Sequence, residues 1–267
     1  ETSGTLQENL NYLADELKKK QALKRKVIGA LVYPVIIVIA TIAVTLLLTV
    51  YVFPKILPIF KSLNFNLPWT TKLLIATSDF FLHFWPYLFG GLGVLFVLFL
   101  ILLRSDRFRY LIHHVILAMP LFGRLAKNYQ MANFCRTLGL LLRCDVMIVE
   151  ATHITANTTT NLVYQEALRK VAQNVTKGEK MSKYMDARSR LFPPILSQMV
   201  AVGETAGNLS DTLFFLAEMY ENEVDELTKN LSTVLEPVLL VFMGMIVGFI
   251  AVSIITPIYE ITQNIHP

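Results

Sequence analysis

Val27–Phe53, His83–Leu103 and Leu231–Ile258 are three stretches in which apolar residues run almost without interruption. Each is long enough to cross a hydrocarbon core, which takes about 20 apolar residues. Each also exceeds a signal-peptide core, and the first follows a charged segment rather than a chain start. Ahead of it, Leu6, Leu10, Leu13 and Leu17 recur at helical spacing, with no Gly or Pro before Gly29 and Pro34. Residues 6–53 therefore predict one helix of roughly 70 Å, about half of which projects below the membrane. Residues 209–258 have the same build: Leu213, Leu216, Met219 and Tyr220 line one side, the acidic stretch Glu221–Glu226 follows, and then the third apolar run. Pro34 and Pro237 lie inside these runs, and each deletes a backbone donor, so a kink is expected in both helices.

Between the second and third runs, residues 119–207 predict a compact helical region. Helices are expected at about 124–143, 146–157, 162–177, 180–188 and 193–206, with the helix from 209 as a sixth. Asp145 is the expected N-cap of the second, and Gly178 and Gly207 are expected to end helices with positive φ. Pro193-Pro194 suits a first helical turn. Strand-like alternation is absent from this region, so the fold class is all-α: three transmembrane helices and a cytoplasmic six-helix bundle.

The chain also repeats itself. Glu1-Thr2-Ser3-Gly4-Thr5-Leu6 returns as Glu204-Thr205-Ala206-Gly207-Asn208-Leu209, and at the same offset of 203 Lys26 meets Lys229, Pro34 meets Pro237 and Pro54 meets Pro257. The expectation is an internal duplication in which about 80 residues of a first bundle are missing and only its last helix, residues 1–26, is present. Both copies run in the same direction, which predicts a pseudo-two-fold axis along the membrane normal. The copies differ where Tyr33 stands opposite Glu236 and where Lys18–Lys20 stand opposite Glu221–Glu223. That charge reversal favours the two juxtamembrane segments lying within reach of each other, in one molecule or across a dimer.

Composition fits this picture: of 267 residues, 54% are hydrophobic and only 16% charged, with a mean hydropathy of +0.51. Lys18, Lys19, Lys20, Lys24, Arg25 and Lys26 precede the first run, and Arg104, Arg107 and Arg109 follow the second. The positive-inside rule then places spans at 27–53, 83–103 and 231–258, residues 1–26 and 104–230 in the cytoplasm, and 54–82 and 259–267 outside. The pI near 9.0 is explained by these flanks meeting the anionic headgroups of a lipid bilayer. Nucleic acid is not an expected partner, because no basic stripe carries interleaved aromatics. Cys135 and Cys144 read as reduced, packed thiols.

Candidate chemistry is sparse. No phosphate-binding loop, nucleophile elbow or zinc-protease motif occurs, and the adjacent His113 and His114 point to different sides of a helix. No catalytic, cofactor-binding or metal-binding residue is assigned, and the expectation is that the chain is not an enzyme. Glu236 is an acid near hydrocarbon, which costs a few kcal/mol unless paired or wetted, so it is either an interfacial carboxylate or a buried contact between helices or subunits. Gly244-x-x-x-Gly248 lets helices approach closely, within one molecule or between copies. Glu204, Thr205 and Gly207 form a corner that either caps a helix or docks a partner. A membrane transporter or channel subunit is the alternative function; it would require polar residues along the spans, and the first offers only Tyr33, Thr41, Thr45 and Thr49.

The ordered set Arg136-Thr137-Leu138-Gly139-Leu140-Leu141-Leu142, Val149-Glu150-Ala151, Leu191-Phe192-Pro193-Pro194, Val202-Gly203-Glu204-Thr205-Ala206-Gly207-Asn208-Leu209 and Leu235-Glu236-Pro237 resembles the type II secretion F family. These are the inner-membrane platform proteins of secretion and type IV pilus systems (GspF, PilC and PilG), and the resemblance covers essentially the whole chain. It implies a homodimer or higher homo-oligomer in the inner membrane, together with other inner-membrane assembly proteins. It also implies coupling of a hexameric cytoplasmic assembly ATPase to extraction of pilins or pseudopilins. Some family members bind calcium at a bundle interface, but no residue here matches a motif that carries this over. Glu221, Glu223 and Glu226, on the outer surface of the expected bundle at the base of the 209–230 helix, are the candidate ATPase-docking residues.

Overall fold

The structure, a computed structural model, describes residues 5–52, 54–55, 69–120 and 122–264. Every regular element among them is helical. In chain order they are α1 (Thr5–Leu46), a π-helical turn (Leu47–Val52), α2 (Trp69–Leu102), α3 (Asp106–Ala118), α4 (Phe122–Arg143), α5 (Ile148–Thr158), α6 (Leu162–Thr176), α7 (Met181–Asp186), α8 (Pro194–Ala206) and α9 (Leu209–Asn264). Two compact units result: one joins the chain up to Gly29 with Ile101–Leu231, the other joins Ala30–Leu100 with the chain from Ser232 onwards. Helices α1 and α9 each contribute to both, and each continues unbroken through its proline, Pro34 or Pro237.

The first unit has a conventional water-excluding core. In α6 the buried residues Val163, Tyr164, Ala167, Leu168, Val171, Ala172 and Val175 recur at the spacing of one helix face. That face meets α3, α5 and α7, while α4 packs on α3 and α5, and α7 on α8. Met131 and Leu138 of α4, Met181 and Met185 of α7, Leu196 and Val200 of α8, and Leu213 and Leu216 of α9 complete the buried cluster, which Leu23 of α1 joins. Tyr164 is fully buried; its ring meets Phe192 edge-on at 6.1 Å, and its hydroxyl donates to the Leu191 carbonyl at 2.8 Å. A Cβ on Gly139 would sit 3.2 Å from that of Leu213, so the glycine sets how closely α4 and α9 approach there.

Helix ends follow local chemistry. Asn161 caps α6 by accepting from the amides of Val163 and Tyr164. Gly178 and Gly207 take φ of 79° and 70° as expected, and their following residues bond back to Asn174 and Gly203. Asp145 departs from expectation. It adopts φ 60°, its amide bonds to Leu142, and that of Val146 bonds to Leu141. Asp145 thus closes α4, using the tolerance of Asp for the left-handed region, and the N-cap of α5 is Met147.

Two further departures concern the middle of the chain. Helix α2 begins at Trp69 rather than at His83. Its first turns are polar, but Thr71 and Ser78 are buried, because their hydroxyls donate to backbone carbonyls of other helices. Residues 106–118, for which the sequence assigned no separate helix, form the amphipathic helix α3, which packs on α4 and α6.

In the second unit, apolar side chains are mostly exposed: Leu92, Val94, Leu95 and Phe96 of α2 and Val238, Val241 and Met245 of α9 are all open. Contacts are few. The Ser78 hydroxyl donates to the Thr49 carbonyl at 2.9 Å inside the π turn, and that of Thr71 donates to Ser253 at 2.8 Å. Ile250 is buried among Leu48, Ile75, Ile246 and Ile254. Two helical stretches, Leu13–Val52 and Leu209–Thr256, are long and apolar enough to cross a membrane, and Gly90–Leu102 is a shorter apolar stretch.

Candidate functional site

The densest polar constellation lies in the first unit, around Arg136 of α4. Its side chain is 5% exposed. Nε and Nη2 donate to the two carboxylate oxygens of Glu221 at 3.0 and 2.6 Å, the paired geometry a guanidinium fits. Nη1 donates to Glu16 Oε1 at 3.4 Å, and Glu16 Oε2 stands 3.1 Å from Nε without a hydrogen bond of its own. Lys19 donates to Glu16 from the solvent side at 3.2 Å. Arg136 therefore holds α1 through Glu16 and α9 through Glu221 at once. Burial lowers its pKa, but the bonds from Glu221 and the charges of Glu16 and Glu218 outweigh that and leave it raised. The next residue, Cys135, is fully buried, which pushes its thiol far above the usual range, and both cysteines are free thiols.

Two more ties flank this centre. Lys26 of α1 donates to Asp225 of α9 at 2.5 Å, and Asn128 of α4 donates to Glu223 at 2.7 Å. The juxtamembrane parts of α1 and α9 are thus within reach of each other in one molecule. The partners differ from those expected: Lys18 and Lys19 pair with Asp15 and Glu16 on their own helix, and Arg136 bridges to Glu221. Of the three acids considered for docking, Glu221 is engaged internally, Glu223 is exposed and bonded to Asn128, and Glu226 is exposed.

At the second corner, the Glu204 carboxylate accepts from the Met181 amide at 2.7 Å and the Ser182 hydroxyl at 2.5 Å. Glu204 thereby satisfies open donors at the start of α7, where negative charge is favoured. Thr205 donates to Ala201 and accepts from Lys180, and Gly207 supplies the left-handed turn into α9. The first-copy corner at residues 1–4 lies outside the described residues.

In the second unit, Tyr33 donates to Glu236 at 3.4 Å, a contact between residues 203 apart in sequence. Gly244 and Gly248 are exposed, and a Cβ on either would meet nothing within 4 Å. Among the described residues, their small surfaces therefore pack against no other helix of this unit. Among the described residues no group of three or more His, Cys, Asp or Glu side chains could hold a metal ion. His113 and His114 diverge: His114 is exposed, while His113 Nδ1 accepts from the Leu162 amide at the start of α6 at 3.1 Å. Burial first, and Arg109 second, hold its pKa below the ordinary value.

Glu16, Asp225 and Asn128 carry no sequence signal of this role, because their partners lie 120, 199 and 95 residues away. Only Tyr33 and Glu236 could have been paired from the repeat offset.

The family described as "Type II secretion system (T2SS), protein F" matches residues 1–54 and 134–257. The chain is 31% identical over 262 residues to a "Type IV pilus assembly protein PilC" of Pseudomonas aeruginosa, covering 98% of this chain and 70% of that protein. It is 34% identical over 261 residues to a protein of the same name from Thermus thermophilus, covering 98% and 64%. It is 33% identical over 268 residues to the "Type II secretion system protein F" of Pseudomonas aeruginosa, covering 98% and 65%. The chain thus spans roughly two-thirds of the length of these relatives. With both ends of the long-helix pattern inside the match, the chain belongs to the type II secretion system protein F family.

Proposed function

We propose that this chain is the membrane-embedded platform of a type IV pilus or type II secretion machine, and that it works by mechanical coupling rather than by catalysis. The observation that carries the reading is the Arg136 clamp. One buried guanidinium grips Glu16 of α1 and Glu221 of α9, the two helices that contain the membrane-length apolar stretches. A load applied to the first unit is then delivered to both helices together.

In this reading α1, α2 and α9 cross the inner membrane, with the N-terminus and residues 104–230 in the cytoplasm. The chain is an internal duplication with parallel copies. The Tyr33–Glu236 contact supports this, because equivalent residues of two copies touch only beside their symmetry axis. The cytoplasmic bundle meets a hexameric assembly ATPase. The exposed face carrying Glu223 and Glu226 is the docking surface, and the outward Gly244 and Gly248 meet a second copy in a homodimer or higher oligomer. Pilins or pseudopilins are the cargo extracted from the bilayer, alongside other inner-membrane assembly proteins.

The test replaces the chromosomal copy with Glu226→Lys and, separately, Arg136→Lys. Surface pili or secreted protein are counted, and the ATPase co-purified with the platform is measured. Glu226→Lys should reduce ATPase recovery and assembly together. Arg136→Lys should leave ATPase recovery intact while assembly falls, since lysine keeps the charge but loses the paired geometry. Full assembly with Arg136→Lys in a folded protein would refute the coupling role.

A further inference from the structure

We propose that α3 is an interfacial helix that lies on the cytoplasmic surface of an anionic bilayer and fixes the height of the first unit against it. The inference rests on the reading that α2 crosses the bilayer, and α3 falls outside the residues matched by the family.

The two sides of α3 differ in what they meet. On the inner side, Leu117 is buried, His113 takes the Leu162 amide, and the helix packs on α4 and α6. A Cβ on Gly123 would lie 2.5 Å from the Leu117 carbonyl, so the end of α3 is seated hard against the start of α4. The outer side carries Leu111 and Val115, one turn apart and 55% and 52% exposed. Arg107 precedes them on the same side by one further turn. Apolar residues one turn apart, with basic residues beside them, are the pattern of a helix lying in the headgroup region.

The occupant of that face is set by charge and by chain length. Arg109 pairs with Asp106 at 3.6 Å, whereas Arg104 and Arg107 have no carboxylate partner among the described residues. Two open arginines beside an apolar stripe complement anionic headgroups. The apolar helix ends at Leu102 and α3 begins at Asp106, and four residues span at most about 14 Å. Once α2 crosses the bilayer, the first turn of α3 is confined to the headgroup layer or its edge.

The experiment uses the full chain, cysteine-free except for one nitroxide label, in phosphatidylcholine vesicles with and without phosphatidylglycerol. Labels go at 98 in α2, at 111 and 115 in α3, and at 177 as an aqueous control. Accessibility to oxygen is compared with accessibility to a water-soluble nickel complex. The expected result is oxygen-rich, nickel-poor surroundings at 98, 111 and 115, and the reverse at 177. Replacing Arg104 and Arg107 by Glu, or omitting the anionic lipid, should shift 111 and 115 toward the aqueous values, by roughly fivefold in the local equilibrium per arginine. A lipid-buried 98 with aqueous 111 and 115 overturns the proposal while sparing the span. An aqueous 98 overturns the span itself. Dipolar coupling between the 111 labels of two copies would assign the face to another protomer and also overturn it.

Discussion

The two compact units solve opposite problems with the same element. In the first, helices hide large side chains such as Tyr164, Phe192 and Leu138 completely, and the charges left inside are paired. In the second, Leu92, Phe96, Val241 and Met245 face outward, and the buried ties run from the hydroxyls of Thr71 and Ser78 to backbone carbonyls. Water drives apolar groups together, so the first unit folds by burial. Lipid is as apolar as leucine and offers no such drive, so packing and a few hydrogen bonds hold helices there. Exposure of apolar residues is therefore no defect in the second unit; it marks a different solvent.

Breaking the paired charges should produce the largest effect. Arg136→Met leaves Glu221 without its cation and Glu16 with Lys19 alone, and removing one partner of a buried ion pair costs about 3–5 kcal/mol. Thermal unfolding in detergent should show an early transition in the first unit, and adding Glu16→Gln should recover part of the loss. A smaller loss is expected from Tyr164→Phe, which removes the donor to the part-buried Leu191 carbonyl at a cost of about 1 kcal/mol. The denaturant midpoint should fall while its slope stays constant.

Acid should separate the units next. His113 in the folded protein resists protonation because it is half-buried, lies near Arg109 and accepts the Leu162 amide. The unfolded chain takes up the proton first as pH falls. The stability this group contributes is present above about pH 6.5 and is lost as pH falls through the lower folded value. Amide exchange in α3 and at the start of α6 should rise over that window in the wild type and be flat with His113→Asn, while the second unit shows no such dependence.

Thr71→Val should cost only about 0.6 kcal/mol, the mean for an interhelical hydrogen bond in a bilayer. The smallest effect belongs to Gly244→Ala and Gly248→Ala, where the added methyl meets nothing. Unfolding of the isolated protomer should not change. Any loss should appear in particle mass instead, as copies separate.

Much of this architecture was written in local chemistry. The helices from 122 to 206 followed apolar periodicity, and Gly178 and Gly207 announced their left-handed turns. Asp145 misled because its side chain suits both a helix start and a left-handed helix end, and only the backbone bonds to Leu141 and Leu142 decide between them. Polar Thr70, Thr71, Lys72, Ser78 and Asp79 hid the first half of α2, since hydropathy cannot register a hydroxyl satisfied by another helix. Helix α3 was obscured by reading Arg104, Arg107 and Arg109 only as topology signals. The Arg136 clamp was illegible for a different reason: its geometry exists only once residues 16, 136 and 221 have been folded together.

The boundary between the two units crosses α1 after Gly29 and α9 after Leu231. Pro34 and Pro237 each lack the amide that would bond one turn back, to the carbonyls of Ala30 and Thr233. In both helices the missing rung falls within two residues of the boundary. A straight helix resists bending because its hydrogen bonds must stretch on the outer side of the curve, and here one of those springs is absent from the start. Each of these two helices is therefore more easily bent at its proline turn than along a run of uninterrupted hydrogen bonds.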